Sequence, residues 1–150
     1  MNAKEIMTKK VFTVGPNMDV HRLAEFFIEK DISGAPVVDD KGKLLGIVLE
    51  EGLILRDKKV HLPTLINILS GVFALGEERF EGEMRKMAAI TVSGIMEDNM
   101  VTISPELPVE EVATIIIEKG VHYFPVVENG KLVGVVTKKD IVRAIAQKRI

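Results

Sequence analysis

The chain has no cysteine, only one tyrosine and three histidines, and a net charge of just −2 over 150 residues. Without cysteine there can be no disulfide, no thiolate nucleophile and no cysteine-based zinc site. The near-balanced charge argues against a broad basic face for nucleic acid. No uninterrupted apolar run approaches the roughly 18–20 residues that a membrane span requires. The opening MNAKEIMTKK has no apolar signal core, so a cytoplasmic protein with no membrane partner is expected. A Gly-x-x-x-x-Gly-Lys phosphate loop, a His-Glu-x-x-His zinc motif and a nucleophile elbow are all missing. His21, His61 and His122 are scattered, and neither catalysis nor a metal site is expected. What is present is 47% apolar and 28% charged residues, the balance of a packed globular domain.

The chain is also written twice. Met7 returns as Met96, Thr13 as Thr102, Pro16 as Pro105, Ala24 as Ala113, and Pro36-Val37-Val38 as Pro125-Val126-Val127, at a constant offset of 89 (96 − 7). One extra turn residue in the first copy reduces the offset to 88 (134 − 46), so that Gly42-Lys43-Leu44-Leu45-Gly46 returns as Gly130-Lys131-Leu132-Val133-Gly134.

Within each copy a short extended piece (Val11 to Val14; Val101 to Ile103) leads through a proline into a helical pattern. In the second copy Val109, Val112, Ala113, Ile116 and Ile117 recur at helical spacing, and Gly120 is placed to end that helix in a left-handed conformation. Phe124 to Val127 and Leu132 to Val136 read as strands joined by Glu128-Asn129-Gly130-Lys131, because Asn-Gly suits the positive φ angles of a tight hairpin. Asp40-Lys41-Gly42 does the same in the first copy. Lys138 to Lys148 reads as a second helix with Ile141, Val142 and Ile145 along one stripe. Each copy is thus β-α-β-β-α, an α+β unit of about 50 residues that buries too little surface alone, and the two should pack together with pseudo-twofold symmetry.

The expected division is a first repeat at 1–54, a helical insertion at 55–91 and a second repeat at 92–150. The insertion contains the uncharged stretch from Leu62 to Leu75, too short for a membrane span and too apolar for a solvated linker. An element packed over the pair, or against another subunit, is expected there.

In their order, these markers resemble a tandem CBS (cystathionine-β-synthase) domain pair, or Bateman module. The residues that carry the resemblance are Ile6-Met7 and Ile95-Met96, the Pro-Val-Val strands, the Gly-Lys-Leu hairpins, and Gly134-Val135-Val136-Thr137-Lys138-Lys139-Asp140. The resemblance implies a non-catalytic module that binds AMP, ADP, ATP or S-adenosylmethionine as a regulatory ligand in a cleft between the repeats. It also implies a homodimer and signalling to an associated protein partner.

The last of these segments resembles the family's Gly-x-x-Thr/Ser-x-x-Asp ribose-phosphate motif. A strand-to-helix turn presents unpaired amides and partial positive charge to a phosphate, with Thr137 and Lys138 beside it and Lys139 and Arg143 as further phosphate contacts. Asp140 would accept hydrogen bonds from the ribose hydroxyls. The resemblance places the base against the first extended piece, Thr102 and Ile103 with Pro105, and against His122, Tyr123, Phe124 and Pro125.

The same Thr137-x-x-Asp140 spacing is also that of a helix capping box, and the two roles can coexist. His122 equally fits a residue at the mouth of a strand, one of Tyr123 and Phe124 should be core, and the two lysines fit a solvated face.

The first copy departs from the pattern. Leu49 stands for the threonine and Gly52 for the aspartate, and Glu50 and Glu51 put negative charge where a phosphate would sit. A degenerate first site built from Thr13, Val14, Ser33, Gly34, Ala35 and Pro36 would accept at most a weakly charged nucleoside, so one nucleotide per chain is expected. Two other classes remain open: a ligand-free interaction scaffold and an enzyme acting on a nucleotide.

Overall fold

A computed structural model describes residues 1–54 and 90–150; of the expected insertion at 55–91, residues 55–89 lie outside the described residues. The first copy forms α1 (Ala3–Ile6), α2 (Val20–Lys30), the antiparallel hairpin of β1 (Gly34–Val38) and β2 (Leu44–Leu49), and α3 (Glu50–Leu53). The second forms α4 (Val92–Ile95), α5 (Val109–Lys119), the hairpin of β3 (Tyr123–Glu128) and β4 (Lys131–Thr137), and α6 (Lys138–Ala146).

Local chemistry sets most of these boundaries. Asp19 caps α2 by accepting the Arg22 amide at 2.9 Å, and Gly120 ends α5 at φ 67°. Asn129 and Gly130 take φ 52° and 76° at the second hairpin. The longer first hairpin is turned by Asp39, whose carboxylate accepts the amides of Lys41 and Lys43. α6 stops at Ala146, two residues before the expected end, where the chain approaches a left-handed Lys148. The expected leading strands are single parallel bridges, Val14 to Val37 and Ile103 to Val126.

The two copies exchange their leading segments. The four-residue α1 is too short to be stable alone; Ala3 and Ile6 are buried in the core of the second copy, among Ile103, Val112, Phe124 and Val136. The amides of Ala3 and Lys4 donate to the carbonyls of Leu107 and Pro105. Reciprocally, Val92 of α4 is buried in the core of the first copy with Leu23, Phe27, Val37 and Val48, and its amide donates to the carbonyl of Met18. Burial of Ile6 alone contributes roughly 1.5–3 kcal/mol.

The exchange also covers the outer edges of the hairpins, which are marginal as two strands and open to association when bare. Thr8 pairs with Val135 on β4 (N···O 2.9 and 3.0 Å), and Glu97 pairs with Ile47 on β2 (2.8 and 2.9 Å). Such close approach requires glycine at the Gly46 crossing, where a Cβ would lie 2.5 Å from the Glu97 carbonyl oxygen; at Gly134 a Cβ would meet the flexible Met7 side chain (Sδ 2.6 Å) and lie 3.0 Å from the Thr8 carbonyl oxygen. A third cluster, Ile47, Tyr123 and Val135 with Val11, Leu49 and Met100, joins the two halves. Among the described residues no helix is long and apolar enough to cross a membrane.

Candidate functional site

Exchange of the leading segments brings residues of both copies to the start of α6. There a cleft of about 350 Å³ opens, at the lower end of the range for small-molecule sites. One wall is the turn from β4 into α6, with Thr137, Lys139, Asp140 and Arg143. The facing wall comes from the first copy, with Val11, Phe12, Ile32, Ser33 and Gly34. A smaller cavity of about 210 Å³ shares Ser33, Tyr123, Thr137 and Lys139 with it and adds Leu49, Glu51, His122 and Lys138.

Asp140 organises the polar wall. It is the one buried charged residue among those described, 3% exposed, and its carboxylate accepts four hydrogen bonds. Oδ2 takes the Thr137 amide (2.8 Å), the arrangement of a capping box, and the Thr137 hydroxyl (3.0 Å). Oδ1 takes the Thr8 hydroxyl of the first copy (3.0 Å) and Arg143 Nη1 (2.9 Å). A buried carboxylate is tolerated only when paired and fully bonded in this way. Tyr123 lies nearby, 6% exposed; burial, with the Asp140 charge added, pushes its phenol well above the ordinary range and keeps it neutral at physiological pH.

The apolar wall holds Phe12, which meets Phe26 edge-on with centroids 6.2 Å apart and has the Lys10 and Lys30 ammonium groups 5.7 and 5.2 Å from its ring centroid. These distances are within reach of cation–π attraction. Gly34 gives this wall its room, since a Cβ there would lie 2.9 Å from the Tyr123 ring and 2.7 Å from Leu49. At the equivalent position of the second copy stands Tyr123 itself, and Leu49 turns into the apolar cluster between the halves.

The structure therefore joins Thr137, Lys139, Asp140 and Arg143 with Ser33 and Gly34 of the first copy. Lys138 and His122 line the smaller cavity, where His122 Nε2 is 3.7 Å from Glu51. Thr102, Ile103, Pro105, Phe124 and Pro125 line neither cavity, and nor do Thr13, Val14, Ala35 and Pro36. Alternation along the strand explains part of this, because Tyr123 faces the cleft while Phe124 is fully buried in the second core. Thr8, Lys10, Val11, Phe12, Asp31 and Ile32 line the larger cleft although no motif marks them. Glu50 also lines that cleft, together with Asp31 and Asp140.

Comparison with known proteins gives a consistent picture. The sequence profile described as the CBS domain matches residues 3–59 and 92–147. A CBS domain-containing protein of Dictyostelium discoideum is 30% identical over 92% of this chain and 86% of its own length, whereas this chain spans 42% of a longer Methanocaldococcus jannaschii relative, at 25% identity. Among solved structures, CBSX2 in complex with AMP is 24% identical, with a TM-score of 0.73 over 99% of this chain and 98% of that one. The CBS domain pair of MJ0100, in complex with 5′-methylthioadenosine and S-adenosyl-L-methionine, is also 24% identical, with a TM-score of 0.72 over 99% and 98%.

Proposed function

Because the chain belongs to the CBS domain family and carries two copies of that domain, we propose that it is a non-catalytic regulatory module that binds one adenine nucleotide per chain and signals to an associated protein. The observation that carries this reading is the buried, fully bonded Asp140 at a helix start, facing an apolar wall across a ligand-sized cleft. In this reading Asp140 accepts the ribose hydroxyls. Thr137, Lys139 and Arg143 meet the phosphates, with the helix start adding partial positive charge. The base lies against Val11, Phe12 and Ile32, beside Ser33 and Gly34. The complexes of CBSX2 with AMP and of MJ0100 with adenosyl ligands support the ligand class; phosphate-binding groups favour AMP, ADP or ATP over S-adenosylmethionine.

Titration with AMP, ADP, ATP and S-adenosylmethionine tests this directly. A ligand at about ten times its Kd should add about 1.4 kcal/mol of stability, calorimetry should give one equivalent per chain, and no product should form. Two equivalents per chain, turnover, or no stabilisation by any adenosyl compound would overturn the reading.

Self-association is the second part of the proposal. Ile28 on α2 and Ile117 on α5 occupy equivalent positions and are 82% and 83% exposed, and Val142 and Ile145 of α6 are also exposed. Apolar side chains presented in this symmetric way fit an isologous contact with a second copy. Light scattering should report a dimer at micromolar concentration, shifted to monomer by Ile28→Asp with Ile117→Asp. A monomeric parent chain would refute it. The alternative of a ligand-free scaffold predicts the dimer without any nucleotide response.

A further inference from the structure

The four bonds to Asp140 are not equivalent, and the difference bears on which ligand the cleft accepts. A carboxylate offers about four acceptor positions, and all are taken by Thr137 N, Thr137 Oγ1, Thr8 Oγ1 and Arg143 Nη1. The Thr137 amide bond on Oδ2 belongs to the turn that starts α6, and opening it would undo the helix start; the Thr137 hydroxyl beside it is a rotatable donor. Those on Oδ1 come from a hydroxyl, which rotates freely, and from an arginine whose side chain is 52% exposed.

We propose that Arg143 makes the cleft selective for phosphate-bearing ligands by exchanging partners, leaving Asp140 to the ribose and taking the ligand phosphate instead. This rests on the reading of the cleft as an adenosyl site. A ribose diol that bonds through Oδ1 takes the places of the Thr8 hydroxyl and of Arg143, which strips Arg143 of a charge-assisted bond. A nucleotide returns an anion to the guanidinium, whereas a nucleoside leaves it without one. Among the described residues, general electrostatic attraction does not supply this discrimination, because Lys10, Lys139 and Arg143 on the cleft wall are matched by Asp31, Glu50 and Asp140. Three described cations against three described carboxylates give little net pull on a phosphate, so the choice falls to the specific pairing. Arg143 is a specificity-determining residue whose removal acts in opposite directions on two ligands.

The test is calorimetry of the full chain and its Arg143→Ala and Lys139→Ala variants with AMP and with adenosine, each variant's fold being checked by circular dichroism. Arg143→Ala should weaken AMP about tenfold, the equivalent of one charge-assisted bond, and should strengthen adenosine severalfold because Oδ1 is freed. Lys139→Ala removes a cation from the same wall without touching Asp140; it should weaken AMP and leave adenosine unchanged. Loss of adenosine affinity in Arg143→Ala, or no change, with AMP still binding the parent chain, would sink the exchange alone. If the parent chain binds neither ligand, the reading of the cleft fails and the exchange with it.

Discussion

Replacing Gly46 by valine should lower the melting temperature by about 6–12 °C, the equivalent of about 3 kcal/mol for a chain of this size. The cause is backbone against side chain. A Cβ at this position would lie 2.5 Å from the Glu97 carbonyl oxygen and 3.2 Å from its carbon. That oxygen accepts the Ile47 amide at 2.9 Å, and the Glu97 amide donates back to Ile47 at 2.8 Å. Neither partner is the end of a flexible side chain, so relief requires lifting the second copy's leading segment off β2 and disturbing Val92 in the first core. Gly15→Ala is the control, because a Cβ there meets nothing within 4 Å. Thermal denaturation of Gly46→Val within about 1 °C of the parent, well inside the expected shift, would show that the segments do not cross there.

Asp140→Ala should cost both stability and binding. Four donors lose their acceptor, at least two of them within a buried turn, which amounts to about 2 kcal/mol of folding stability. AMP affinity should fall by about 1–3 kcal/mol, about fivefold to more than a hundredfold, because the ribose hydroxyls lose a charged acceptor. Asp140→Asn separates the two effects. It preserves volume and one acceptor oxygen, so it should recover part of the melting temperature while still binding AMP poorly. Calorimetry that finds parental AMP affinity in a folded Asp140→Ala chain would leave this carboxylate with a capping role only.

Much of this architecture was written in local chemistry. The hairpin turn at Asn129-Gly130, the end of α5 at Gly120 and the Thr137-x-x-Asp140 turn are each decided within four residues, and spacing alone locates them. Which leading segment joins which core was not legible. The two copies carry the same Ile-Met marker at Ile6-Met7 and Ile95-Met96, so self-pairing and exchange satisfy the same apolar pattern. For the same reason the facing wall of the cleft was missed. Thr8 reaches Asp140 across 132 positions of sequence, and no periodicity records such a contact. Glu50 was expected to guard a separate first-copy cleft; it lies instead on the wall that Asp140 shares.

The exchanged segments also set the order in which a nascent chain can finish folding. The first copy's helix and hairpin are complete once Leu53 has been made, but their core lacks Val92 and the free edge of β2 lacks Glu97. The ribosome must add more than forty further residues, counting from Leu53 to Glu97, before either gap is closed. During that interval Gly46 leaves an uncovered strand edge beside an incomplete core, the kind of surface that misassembles or recruits chaperones. The early half of the chain therefore waits on the late half, and the late half in turn depends on Ala3 and Ile6, which emerge before either hairpin and must remain free to dock last.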